Sequence, residues 1–380
     1  TNIVDNTAAS APNATGGNII GGSGRGAAGA SGLLAAIVPV PNAFTTVDTI
    51  ANNLKNPMTQ QWNFDIQREL PSKFIVTAAY VGTRASNLYL NQDYNPTIDF
   101  GPRLNPNFGD ILVRSNAGHS NYNSAQLEVE RRLNTAFTVR GAYTYSKFLD
   151  TGSEVFVSTG GSSVAQDVFN QAAEYGPSAF DRRQRLNISY VWDMPYSGKN
   201  WLTKALTDRW QWSSIATVET GTPDTVYDGF DVNGDGRAND RPNIGSQSVS
   251  INNNGIDGVQ LGLTPTPGTY FALTQTCLNT GVCMPGPASS FHFLIPAGGN
   301  GTVGRNSQFG PGQVFWDTSF ERRFPITERQ SFMFRAEFFN ILNHPNLYTP
   351  TYNLLSPNFN DPGAYINGGR TIKFWLRYDF

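Results

Sequence analysis

Apolar side chains recur at every second position through one segment of this chain after another. That period is the period of a strand with one apolar and one polar face, and it rules out helix in those segments. In the closing TIKFWLRYDF, Ile372, Phe374, Leu376, Tyr378 and Phe380 alternate with Lys373, Trp375, Arg377 and Asp379. In QQWNFDIQREL, Trp62, Phe64 and Ile66 alternate with polar residues. Pro71-Ser72-Lys73 then makes a tight turn, and Phe74, Val76, Ala78 and Tyr80 resume the period, which predicts a hairpin. Ala125, Leu127 and Val129 lead across a turn at Asn134-Thr135 to Phe137, Val139, Gly141, Tyr143 and Tyr145. Leu186, Ile188, Tyr190 and Trp192 lead through PYSGKNWLTKALTD to Trp210, Trp212, Ala216 and Val218. Val314, Trp316 and Phe320 face Phe332, Phe334, Ala336 and Phe338 across PITER. With the terminal segment this makes nine strands.

The links between them are unequal. Within each hairpin the connection is short, whereas residues 85–120, 150–182, 221–312 and 341–369 form long loops. Short turns at one end and long loops at the other are the pattern of an outer-membrane barrel, with the short turns in the periplasm. Aromatics at Tyr143/Tyr145, Trp192/Tyr196 and Trp210/Trp212 stand where interfacial girdles belong. Composition agrees: charged residues are only 15% and aromatics 12%, so Asn, Gly, Ser and Thr carry the polarity. No run of eighteen apolar residues provides a helical span. A secreted β-sandwich is the competing architecture, but its loops vary at both ends. With a net charge of −2 and dispersed basic residues, nothing makes a nucleic-acid footprint.

The expected fold is therefore all-β, an antiparallel transmembrane β-barrel segment of about nine to ten strands with long extracellular loops. Residues 1–57, with GGNIIGGSGRGAAGASG, are expected as a Gly-rich flexible extracellular segment, and residues 58–380 as the barrel portion. An odd count puts the two ends of the sheet on opposite sides of the membrane, while bacterial single-chain barrels have even counts. Either a strand is hidden in 1–57 or 87–115, or the chain is the C-terminal part of something larger; the second reading is favoured. The opening TNIVDN, without initiator Met or signal peptide, fits a mature, trimmed or partial chain.

Several stretches resemble the C-terminal barrel of TonB-dependent receptors, specifically the Oar-like group with an N-terminal carboxypeptidase-regulatory-like domain. They are NPMTQQWNFDIQREL with AAYVGTRASNL, YNSAQLEVERRL with AYTYSKFLD, FDRRQRLNISYVWDMP, GTPDTV, DVNGDGRANDRPN, GRNSQFGPG with FERRFPITERQSFMFRAEFFNILNHPN, and the final RYDF. They span about Asn56 to Phe380 in family order. The resemblance implies a twenty-two-stranded barrel of which these are the last strands, completed by earlier strands, a plug and a TonB box. It implies energised uptake of a bulky nutrient (a glycan, peptide or chelate), with outer-membrane lipid, the barrel-assembly machinery and the TonB system as partners. The alternative is a surface structural or adhesion protein whose loops bind partners without transport. Ile372, Phe374, Leu376, Tyr378 and Phe380 look like the C-terminal signal read during barrel assembly; otherwise they are an ordinary last strand.

Three smaller features complete the reading. Asp231, Asn233, Asp235, Asn239 and Asp240, with Gly236 at the sixth position, resemble a calcium loop. Pro242 stands where the bidentate Glu belongs, and the other reading is a polar Asx-turn in a long loop. Cys277 and Cys283 flank LNTGV and are expected to form a disulfide in an oxidising compartment; a lone pair lacks the other ligands of a zinc site. His119, His292 and His344 have no partner at ligand spacing and no G-x-S-x-G elbow occurs, so no enzyme is expected. Asp181-Arg182-Arg183 and Glu321-Arg322-Arg323 are expected to form rim or lumen salt bridges.

Overall fold

A computed structural model describes residues 3–5, 45–133, 136–154, 164–195, 198–200, 203–204, 208–251, 261–266 and 269–380. The Gly-rich run, the Asn134-Thr135 turn and Tyr196 lie outside the described residues. Nine long strands form where the two-residue period predicts them: β1 (Met58–Leu70), β2 (Phe74–Asp93), β3 (Phe108–Leu133), β4 (Phe137–Asp150), β5 (Gln184–Asp193), β6 (Trp210–Glu219), β7 (Gln313–Pro325), β8 (Ser331–Phe339) and β9 (Thr371–Asp379). Each pairs antiparallel with the next in chain order. The β1–β2 link closes tightly because Ser72 and Lys73 both take positive φ, 68° and 61°. Successive left-handed residues match the twist of the strands they join.

The sheet stays open. Among the described residues β1 pairs only with β2, and β9 only with β8. A strand does emerge within 1–57, at Thr45–Ile50, where flexible loop was expected. It runs parallel to the start of β3, from Phe108 to Arg114, and so joins the sheet beyond the level where β3 begins to pair with β4 at Ser120↔Asp150.

The register gives the wall two faces. One carries a run of touching aromatics near the short-turn end. Phe137 meets Trp192, Trp192 meets Trp212, and Trp212 stacks on Phe320 at 5.6 Å between ring centroids. Trp210, Phe334 and Phe374 continue the belt. Two indole N–H groups on this face are satisfied within it: Trp212 Nε1 donates to Thr318 Oγ1 and Trp316 Nε1 to Ser214 Oγ. The opposite face is polar, with Arg140 on Glu128 at 2.8 Å, Arg335 on Glu321 at 3.1 Å, and Trp375 Nε1 donating to Glu337 at 2.8 Å. An aromatic outer face and a hydrated inner one are what lipid and a wet lumen select.

Two of the expected long loops are not loops throughout. The 85–120 stretch is a β2–β3 hairpin paired as far as Asp93↔Leu112, which leaves 94–107 as the actual link. Register shifts between Ala85 and Leu90, with Asn87 at φ 57°, break the alternation there and hide the strand from a period count. The 221–312 stretch contains a separate small sheet of Asn243–Ile244, Phe293–Ile295, Leu261–Thr266, Thr269–Ala272 and Met284–Pro285. Around it lies a compact apolar core: Val226, Val232, Leu273, Phe293 and Ile295 from this stretch, joined by Tyr352, Leu354 and Phe359 from 341–369. The long connections thus fold together as a cap on one end of the wall.

Candidate functional site

The cap is held by charge as well as by its core. Arg241 makes two hydrogen bonds to the carboxylate of Glu174, at 2.9 and 2.8 Å, with both side chains 6% exposed. Arg305 bridges to the Asp150 carboxylate at the end of β4 and donates to the Glu174 carbonyl at 2.9 Å. Arg237 lies between Asp93 and Asp110 of the extended hairpin, 2.9 Å from each. These pairs connect the 85–120, 150–182 and 221–312 stretches. Low exposure strengthens each attraction, but only because both partners are present.

Of the five proposed cation ligands, Asp231 and Asn233 act first as turn builders. Asp231 accepts from Gly234 N–H through Oδ1 and from Gly236 N–H through Oδ2, at 2.7 and 2.9 Å. Asn233 Oδ1 accepts from Asp235 N–H, and Asp235 Oδ1 from Arg237 N–H. Gly234 and Gly236 take φ 77° and 91°, backbone that glycine adopts without strain. Asp240 Oδ2 accepts from Val232 and Asn233 N–H, and Asn239 donates to the carbonyls of Val164 and Ala165. The Asx-turn reading therefore describes Asp231 and Asn233 well. Sequence reasoning missed Asp228, three residues ahead of the motif. It is fully buried, and its N–H donates to the Asp240 carbonyl at 2.8 Å. Burial, reinforced by the charge of Asp240, pushes the Asp228 carboxyl up to about 8. Burial likewise raises Asp235 to about 7.

The other predicted positions are simpler. Cys277 and Cys283 are joined as a disulfide with Cα atoms 4.5 Å apart. Cys277 lies in the helix Gln275–Thr280, which Thr274 caps by accepting from Cys277 N–H and Gly281 ends at φ 71°. Ile372, Phe374, Leu376 and Tyr378 point to the apolar face, paired with Phe338, Ala336, Phe334 and Phe332; Phe380 stacks on Tyr378. The charged triplets form the expected pairs, Arg183 with Asp181, Arg182 with Glu219, and Arg335 with Glu321. Arg322 lies over the Phe324 ring on the apolar face and donates to the Lys204 carbonyl. His119 stacks on Tyr175 and His292 meets the Val249 carbonyl, both packing roles. On the lumen face, Arg140, Ser189, Ser213, Asp317, Ser319 and Glu337 line an open concavity of about 430 Å³.

A sheet with an aromatic lipid face, a polar inner face and a folded outer cap is a wall segment of a membrane β-barrel. The chain belongs to the outer membrane beta barrel domain family, matched over residues 2–373, and so resides in the outer membrane. Among solved structures it is similar to the outer membrane transporter YddB from Escherichia coli, at 12% identity and TM-score 0.44. That match covers 90% of this chain and 34% of YddB. The copper transporter OprC matches at 10% identity and TM-score 0.36, over 87% of this chain and 33% of OprC. The FrpB iron transporter from Neisseria meningitidis matches at 9% identity and TM-score 0.38, over 88% and 33%. The chain therefore spans about a third of the length of these transporters. No curated protein matches it.

Proposed function

We propose that this chain is the C-terminal wall and outer cap of a TonB-dependent receptor of the Oar-like group, serving uptake of a bulky nutrient such as a glycan, peptide or chelate. The observation that carries the reading is that, among the described residues, the outer edges of β1 and β9 have no strand partner. A row of free backbone N–H and C=O groups is not tolerated in hydrocarbon, so further strands must complete the wall. A wall of that size needs a plug to remain sealed, and an energised plug needs the TonB system. The polar lumen face and the ion-paired cap suit hydrophilic cargo. A second reading, a surface adhesion protein, draws support from the cap itself, whose own core gives it the build of a binding module. Neither reading assigns a catalytic role to any residue.

The parent reading frame separates the two. Uptake requires an upstream plug with a TonB box, and deletion of that box should abolish growth on the imported nutrient while leaving the barrel in the membrane. A parent gene that begins inside the Gly-rich stretch, or uptake that persists without the box, refutes the transport reading.

A further inference from the structure

The two faces of the wall differ in the sign of their charge as well as in polarity. Register places Arg68, Arg84, Arg131, Lys147 and Arg322 on the aromatic face. Among the described residues of the nine strands, no Asp or Glu shares that face; Asp65, Glu128, Asp193, Glu219, Asp317 and Glu321 all fall on the lumen side. Dislike of charge by lipid does not produce this bias, because on the lipid face of a barrel Asp and Glu cost less than Arg and Lys. A face that admits only cations is matched to an anionic surrounding. Arg131 and Arg322, toward the short turns, are each held by a ring and a backbone carbonyl. Arg84 and Lys147 stand at the opposite, long-loop rim. Both are exposed, and among the described residues neither has an ion pair or a side-chain hydrogen bond.

These two cations flank one strand. Arg84 on β2 is in register with Asn121 of β3, and Lys147 on β4 with Asn123. Two strand spacings of about 4.8 Å and one two-residue repeat of about 6.8 Å put their Cα atoms roughly 12 Å apart, within the combined reach of the two side chains. Short amides floor the space between them. Tyr80 Oη donates to Asn123 Oδ1 at 2.6 Å, and Asn123 Nδ2 donates to Asn121 Oδ1. That chain turns the oxygen of Asn121 inward, and among the described residues its Nδ2 has no acceptor. On the β1 side the Trp62 ring lies directly over Gly82, where any side chain would collide with it. The trough thus offers a guanidinium, an ammonium and an amide N–H, with no carboxylate on its face. We propose that Arg84, Asn121 and Lys147 bind the phosphate of a phosphorylated glycolipid headgroup in the outer leaflet, with Trp62 and Tyr80 against the lipid below it. A guanidinium grips phosphate through paired N–H donors and an ammonium acts on it as a point charge, and basic pockets at a membrane surface recognise lipid headgroups in this way. The site is independent of what the cap binds and of whether the wall serves uptake or adhesion.

The test uses the parent protein, delipidated in detergent, with purified lipopolysaccharide as the probe and native mass spectrometry to measure bound lipid. Each cation near an anionic lipid surface contributes about fivefold in affinity, so Arg84→Gln/Lys147→Gln should weaken binding by about thirtyfold. Chemically dephosphorylated lipopolysaccharide should bind the wild-type protein as weakly as the intact lipid binds the double variant. Arg131→Gln, on the same face at the other rim, should bind as the wild type does. Altered gel migration of the unheated variants confirms that their walls have folded. Equal binding by the wild type and the double variant overturns the proposal, as does equal binding of the phosphorylated and dephosphorylated lipids. A loss in Arg131→Gln as large as in the double variant overturns it too, because the attraction is then diffuse. If millimolar inorganic phosphate displaces the lipid, the trough is a free-anion site and the assignment to a headgroup falls.

Discussion

The terminal strand offers a test in which packing and assembly predict opposite orders. Consider Tyr378→Ser/Phe380→Ser against Phe332→Ser/Phe334→Ser, introduced into the parent protein. The terminal double change removes two aromatic contacts, Tyr378–Phe332 at 5.0 Å and Tyr378–Phe380 at 5.9 Å. The internal one removes three: Phe332–Tyr378 at 5.0 Å, Phe334–Trp210 at 6.2 Å and Phe334–Phe374 at 6.1 Å. At about 0.5–1.5 kcal/mol per pair, the terminal loss is about 1–3 kcal/mol and the internal loss about 1.5–4.5. The burial term adds little to either, since lipid chains solvate an apolar side chain about as well as its neighbours do. Packing alone thus makes the internal variant the worse one. If the ending is captured by strand addition during insertion, the order reverses, because an uncaptured edge never enters lipid. The assay is outer-membrane fractionation with protease treatment of the periplasmic contents. We expect the terminal variant to accumulate as a protease-sensitive periplasmic species while the internal variant reaches the membrane. Equal recovery of the two in the outer membrane refutes the assembly reading.

Other substitutions probe the wall and the cap separately. Arg241→Met leaves the Glu174 carboxylate buried without its partner and should cost about 3–5 kcal/mol, read as a lower cap unfolding temperature; adding Glu174→Gln should restore part of the loss. Gly301→Ala would set a Cβ against the backbone carbonyls of Arg241 and Pro242, which cannot move aside as a side chain can. A loss of about 1–3 kcal/mol is expected by thermal melting. Leu127→Arg, at mid-height on the lipid face, should cost about 2–4 kcal/mol in urea refolding into bilayers, whereas Asn123→Arg nearer the rim should cost at most about 1. Cys277 and Cys283 should resist alkylation until reduced; because the disulfide closes a short loop, its removal should cost on the order of 2 kcal/mol or less, and the cap should remain folded.

The wall was legible because lipid on one side and water on the other impose a period of two on every strand that crosses. Nothing comparable governs the cap. Leu88 and Leu90 look like an interrupted alternation, yet they belong to a strand whose register shifts twice within five residues. The strand at Phe293–Ile295 is buried on both faces, so FLI carries no alternation at all. Asp228 was missed for a different reason. The calcium-loop pattern begins at Asp231, and only the N–H···O=C bond to Asp240 shows that the residue three positions earlier closes the loop. The disulfide was legible because six positions of separation within a single loop leave few other partners.

The placement of charge on the apolar face also measures the membrane. On β3 that face runs Arg131, Val129, Leu127, Ala125, Asn123, and Arg131 lies over the Phe74 ring at the short-turn rim. On β4 it runs from Phe137 through Val139, Gly141 and Tyr143 to Tyr145 before Lys147 interrupts it. On β9 it runs from Ile372 to Phe380 without a charge. Each of these three stretches covers eight residue steps, or roughly 27 Å of antiparallel strand at about 3.4 Å per residue. With a strand tilt of about 40°, the height is roughly 21 Å, close to the apolar band of about 25 Å in outer-membrane barrels. Arg322, resting over Phe324 near the same rim as Arg131, repeats the arrangement on β7. An arginine that lays its stem along apolar surface and keeps its head at the interface costs little there and a good deal one turn of the pleat deeper. The rim arginines therefore fix the depth of the wall as firmly as the aromatic belt does.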